Sequence, residues 1–103
     1  MIRAMNANAV TVVALVKAQS GKEAEMRKEL LSLVQPSRQD NGCLNYDLHQ
    51  AADDPTRFMF HENWTSKAHL EAHLQKPDLQ AVLARVGKLA AEPPQISLWQ
   101  KVA

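Results

Sequence analysis

Residues Phe58 to Pro77 read FMFHENWTSKAHLEAHLQKP, and the side-chain period changes inside this stretch. Up to Trp64 alternate residues share a face, so Phe58, Phe60, Glu62 and Trp64 point to one side of a strand running from Arg57. Beyond it, Thr65 or Ser66 suits a helix N-cap. His69 and His73 are four apart, which makes them neighbours on a helix. Pro77 can open a further helical turn, because the first turn has no use for its missing N–H. One strand-to-helix junction thus carries a carboxylate, an indole and two imidazoles.

Working outward, Cys43 to Gln50 also alternates, with Leu44, Tyr46 and Leu48 on one side and Asn45, Asp47 and His49 on the other. Asp53-Asp54-Pro55 is a turn signal between the two runs, which predicts a hairpin-like pair. Upstream, Val10 to Ala18 (VTVVALVKA) is β-branched and apolar on both faces, the pattern of a strand covered on both sides. From Lys22 the period turns helical, with Met26, Leu30, Leu33 and Val34 as the apolar stripe. Pro36 kinks or ends that helix, a short continuation reaches Asp40, and Asn41-Gly42 stops it. Downstream, Asp78 to Leu89 predicts another helix with Leu79, Val82, Leu83 and Val86 on one stripe. After Pro93-Pro94, Ile96 to Val102 reads as a last strand.

The predicted order is β-α-β-β-α-β, an α+β ferredoxin-like arrangement with both helical layers on one face of an antiparallel sheet. The first strand is apolar on both sides, so the other sheet face is expected to meet a second copy, giving a homodimer. Residues 1–9 read as a loose extension, with Met5 as an alternative start, and 10–103 as a single domain.

Composition narrows the function classes. Lys+Arg is 12 against Asp+Glu 11, a formal net charge of +1, which argues against an electrostatic nucleic-acid binder. No apolar run approaches the roughly 20 residues of a membrane span, so no membrane partner is expected. Cys43 is the sole cysteine. An intrachain disulfide is therefore impossible, and a cytoplasmic location is expected.

The junction supplies the candidate site. His73 lies at the edge of the Leu70/Leu74 stripe, where it is either a pocket base or a half-buried histidine bonded to a backbone group or to Glu62. His69 lies further out and is a weaker substrate contact. Trp64 is either a core tryptophan or a flat wall offering an indole N–H. Glu62 shares its face with the aromatics, so it needs a partner or it protonates. It is expected to support the site by orienting His73 or bonding a helix N-terminus. Phe58 and Phe60 would line a ring site, with Tyr46 within reach. The i, i+4 histidines also have zinc-ligand spacing, but the H-E-x-x-H order is absent and no third ligand is clear, so no metal is expected. Cys43, after a turn glycine, reads as a buried inert thiol.

Gly42-Cys43 entering the second strand, Glu62-x-Trp64 ending the third, and AHLEAHLQKP at 68–77 resemble the antibiotic biosynthesis monooxygenase family. The likeness is strongest to its quinol monooxygenase branch and covers about residues 10–100. The resemblance implies a dimeric α+β barrel that oxidises a small electron-rich aromatic, a quinol or polyphenol, with O2 and no cofactor. In it His73, Trp64 and Glu62 would be the catalytic residues, and Phe58, Phe60, Tyr46 and His69 the substrate-binding ones. The family often places a histidine directly after the proline of the helix break, where this chain has Asp78. Leu79 to Leu83 holds no histidine, which disfavours the haem-degrading relatives. Two other readings stay open: an isomerase that degrades a small signalling carbonyl compound, and a non-catalytic small-molecule-binding dimer.

Overall fold

A computed structural model describes residues 8–103. The extension expected at 1–9 lies largely outside them. The strands are β1 (Val10–Lys17), β2 (Cys43–Gln50), β3 (Arg57–Trp64) and β4 (Gln95–Trp99). The helices are α1 (Glu23–Leu31), α2 (Val34–Arg38), α3 (Lys67–Leu74) and α4 (Pro77–Leu89). The strands form one sheet in the order β2-β3-β1-β4, and every neighbouring pair is antiparallel. This is the ferredoxin-like α+β fold that the element order predicts.

Alternation decides which side faces the helices. Val10, Val12, Ala14 and Val16 of β1 are buried, as are Phe58, Phe60, Glu62 and Trp64 of β3. Met26, Leu30 and Leu33 from the first helical layer, and Leu79, Val82 and Val86 from α4, close the core over them. Leu83, expected on the α4 stripe, is 40% exposed. The long first helix breaks between Leu31 and Val34. Pro36 explains the position, because its ring clashes with the carbonyl four residues earlier, at Ser32. The last strand stops at Trp99, short of the expected Val102.

β2 departs from simple alternation. Cys43 pairs with Trp64 and Asn45 with Asn63, so Leu44 is the extra residue of a bulge. Leu44 is 61% exposed, while Tyr46 keeps its expected place in the core. The apolar pattern reads Leu44 inward; the bulge turns it out and sets Cys43 opposite Trp64.

The opposite sheet face carries Val13, Leu15, Met59, His61, Asn45 and Asn63, and among the described residues no helix covers it. Leu15 is 40% exposed there and Trp99 58%. Polar bonds cross this face: Asn63 Nδ2 donates to Asn45 Oδ1 at 2.7 Å, and Asn45 Nδ2 to Asp47 Oδ2 at 2.9 Å.

Candidate functional site

Trp64 ends β3 on its core face and is fully buried. Its indole Nε1–H donates to Glu62 Oε1 at 2.9 Å. Two residues apart on one strand, the pair shares a face, and the longer ring reaches back over the carboxylate. Ser66 caps α3, its Oγ accepting from the His69 backbone N–H at 3.2 Å. From that start α3 carries His73 onto the Trp64 ring, with ring centroids 4.6 Å apart. Tyr46 from β2 meets the same imidazole edge-on at 5.5 Å. Three elements therefore converge on His73.

A third contact comes from the turn between α2 and β2. His73 Nδ1 lies 2.8 Å from Asp40 Oδ2, and their side chains are only 3% and 7% exposed. The other carboxylate oxygen, Oδ1, bonds Lys76 Nζ. An ionised carboxylate only accepts, so Nδ1 carries the proton, and in the neutral form of the ring Nε2 holds the lone pair. Among the described residues no protein group bonds Nε2.

A cavity of about 180 Å³ opens beside this cluster, lined by His73, Asp40 and Lys76 together with Pro36, Ser37 and Asp78. Asp78, where the resemblance leads one to expect histidine, thus stands at the site. Trp64, Glu62, Phe60 and Tyr46 lie behind His73 and do not line this cavity. Phe60 packs on Tyr46 at 4.9 Å. Phe58 lies at the other end of the sheet, beside a second cavity of about 560 Å³ bordered by Leu15, His49 and Met59. That cavity is the larger, but of its charged lining residues Lys17, Arg57 and Glu92 are exposed and Asp54 is half-buried. The buried acid–base groups gather at the smaller one.

His69 is exposed. Its Nδ1 lies 2.8 Å from Ser66 Oγ and 3.0 Å from Thr65 Oγ1, at the α3 N-terminus. Its ring covers Gly42, whose φ is +81°, and a Cβ there would come within 2.3 Å of His69 Cγ. Only glycine combines that dihedral with so close a neighbour. The two histidines therefore have separate partners, and among the described residues no group of three His, Cys, Asp or Glu side chains could hold a metal ion.

The buried groups are tuned in different directions. Burial pushes the Glu62 carboxyl up to about 7, with the Trp64 bond pulling weakly the other way. Burial also raises Asp40, but bonds to Lys76 and His73 outweigh it and hold that carboxyl below its ordinary value. Burial, then the Glu62 charge, drives the Tyr46 phenol well above its usual range. The same two causes raise the Cys43 thiol, as suits an inert cysteine.

Glu62 is the partner that the sequence suggests for His73, but the structure gives that bond to Asp40 and turns Glu62 to Trp64. Asp40 and Lys76 escaped the sequence reading. Asp40 stands just before Asn41-Gly42 and reads only as the end of a helix. It lies 33 residues from His73, and no local pattern links them.

The model of the antibiotic biosynthesis monooxygenase family matches residues 9–85. The chain belongs to this family. A solved structure of PA3566 from Pseudomonas aeruginosa superimposes with a TM-score of 0.87 at 31% identity, covering 93% of this chain and 96% of that one. "Putative monooxygenase YcnE" of Bacillus subtilis is 29% identical over 84 residues, 82% of this chain and 88% of the relative. "Uncharacterized protein sll1783" of Synechocystis is 25% identical over 91 residues, and the match spans 62% of that relative, less than two thirds of its length. Among the described residues no helix is long and apolar enough to cross a membrane.

Proposed function

We propose that this family member is a cofactor-independent monooxygenase that oxidises an electron-rich aromatic, a quinol or polyphenol, with O2. The observation that carries this reading is the placement of His73. It is a buried imidazole on a small cavity, with Nδ1 committed to a carboxylate and Nε2 without a protein partner among the described residues. The YcnE relative's name points to the same reaction class.

Ground-state O2 is a triplet and reacts slowly with closed-shell organics. A quinolate, richer in electrons than the quinol, can pass one to O2 with no metal or flavin. The protein must then bind a flat hydroxyl-bearing ring, remove a phenolic proton and exclude bulk water. His73 Nε2 is the acceptor for that proton. Leu79, Val82 and Pro36 supply apolar cavity wall. Trp64 and Tyr46 hold the imidazole from behind, and Glu62 holds Trp64. We also propose that a second copy covers the open sheet face, where Leu15, Trp99 and the half-buried Val13 and Met59 lie.

Oxygen uptake over a panel of quinols tests the reaction. The wild type is expected to consume O2 without added metal or flavin, and His73→Ala to lose about 10²-fold or more in kcat with a smaller change in KM. Undiminished uptake by His73→Ala would remove the base assignment. An absence of uptake by the wild type would remove the reaction.

A further inference from the structure

The contacts around His73 go beyond naming a base, because they show what holds it. Among the described residues Asp40 is the one charged group bonded to the imidazole, and it reaches the ring from a different part of the chain, the turn before β2. Both of its oxygens are committed, Oδ2 to His73 and Oδ1 to Lys76. Nearly buried, it interacts with its partners more strongly than a carboxylate in water does. Lys76 differs from the other two, because its side chain is 55% exposed. It stands at the N-cap of α4, on the cavity wall, so it ties the buried carboxylate to the rim.

We propose that Asp40 is the positioning residue of the His73 base and that Lys76 sets how much of its negative charge the imidazole feels. This rests on the reading of His73 as the base. Three contacts fix the ring: the Asp40 bond, the Trp64 face and the Tyr46 edge. The aromatic contacts limit the ring's tilt, but only Asp40 distinguishes one nitrogen from the other. It accepts from Nδ1–H and so leaves Nε2 bare to take a proton from the substrate. When Nε2 gains that proton the ring becomes an imidazolium, and the adjacent carboxylate compensates the new charge inside a site with little water. The proton moves from substrate oxygen to Nε2; Asp40 stays ionised throughout. Lys76 shares the same carboxylate and opposes that compensation.

The titratable groups around the ring are Asp40 from the α2–β2 turn, Tyr46 from β2, Lys76 from the α3–α4 turn and Asp78 across the cavity. Glu62 lies behind, bonded to Trp64. Neutralising Asp40 and neutralising Lys76 therefore act on the ring with opposite sign. A role confined to holding the turn in place would not produce that opposition.

The test combines histidine-ring NMR on 15N-labelled protein with the pH dependence of quinol-driven O2 uptake. Long-range 1H–15N spectra of the wild type are expected to show His73 with its proton on Nδ1. In Asp40→Asn that single tautomer is expected to give way to a mixture. Its kcat should fall at least about tenfold with a smaller change in KM, and the acid limb of its rate profile should move to lower pH. In Lys76→Met the tautomer is expected to persist and the acid limb to move to higher pH. A wild-type spectrum with the proton on Nε2 would overturn the proposal. So would an Asp40→Asn protein with unchanged tautomer and rate, or profiles that shift the same way in both variants. If Asp40→Asn does not fold, the wild-type spectrum and the Lys76→Met shift decide. If the wild type takes up no O2, the reaction is wrong, and the ring spectra still decide what Asp40 does.

Discussion

Two carboxylates lie within one ring's width of the same stack, and their surroundings have opposite effects. Glu62 is 5% exposed and the Asp40 side chain 7%, so both are shut off from solvent. Glu62 has one neutral partner, the Trp64 indole. Asp40 has an ammonium and an imidazole. The first is pushed up to about 7 and the second held below its ordinary value. The charged partners of Asp40 outweigh its burial, whereas the single indole bond of Glu62 does not. That difference assigns the roles: Asp40 can support a base at neutral pH, while Glu62 is half neutral there and anchors an aromatic ring.

The comparison breaks most severely at the residue that joins its two halves. Trp64→Phe removes the N–H from Glu62 and leaves a void beside His73. It is expected to cost about 3–5 kcal/mol at pH 8 by urea unfolding, from lost packing and the stranded carboxylate. The loss should be smaller at pH 5, where Glu62 is protonated. Equal losses at the two pH values would mean that the indole bond does not govern Glu62.

Glu62→Gln isolates the carboxylate with less disturbance. The folded state holds the Glu62 proton more tightly than the unfolded chain, whose value is near 4.5. The contribution to stability is therefore full below about 4.5 and is lost as the pH rises through about 7. The span corresponds to about 3 kcal/mol between the ends of that window. The amide keeps an oxygen for Trp64 and does not titrate. Glu62→Gln should thus gain stability relative to wild type from pH 4.5 to pH 8 by up to that amount. A parallel offset across the window would show that Glu62 is an ordinary carboxylate.

The same contrast explains what the sequence disclosed. Period 2 in the strand runs, Phe58 to Trp64 among them, and period 3.6 in the helical ones placed the strands, the helices and the helix-covered face, because both periods follow from backbone geometry. Leu44 was misplaced, because a bulge inserts a residue without any marker in the alternation. For the site, Glu62 and Trp64 were legible as a pair because they share a strand, and His73 because its helix follows directly. The His73–Asp40 bond was not legible. It joins a helix to a turn on the far side of a hairpin, and an aspartate before Asn-Gly carries the same local signal whether or not an imidazole waits above it. Glu62, which the sequence offers as one partner for His73 beside a backbone group, instead bonds Trp64.

Asp40 gives the smallest and sharpest of the stability tests, because its pH dependence runs the other way. Its folded value lies below that of the unfolded chain, near 3.8. The stability it contributes is present above that value and is lost as the pH falls through the folded one. Asp40→Asn retains the side-chain volume and one acceptor but removes the charge shared by His73 and Lys76. Its cost at pH 7 is expected to be about 1–3 kcal/mol and to shrink as the pH falls through the lowered folded value, where the wild-type carboxyl also becomes neutral. Glu62→Gln and Asp40→Asn should therefore diverge from wild type in opposite directions on going from acid to neutral pH, one gaining and the other losing. If Asp40→Asn carried a constant penalty down to acid pH, the loss would be one of packing in the α2–β2 turn. The charge-based division of roles between Asp40 and Glu62 would then fall.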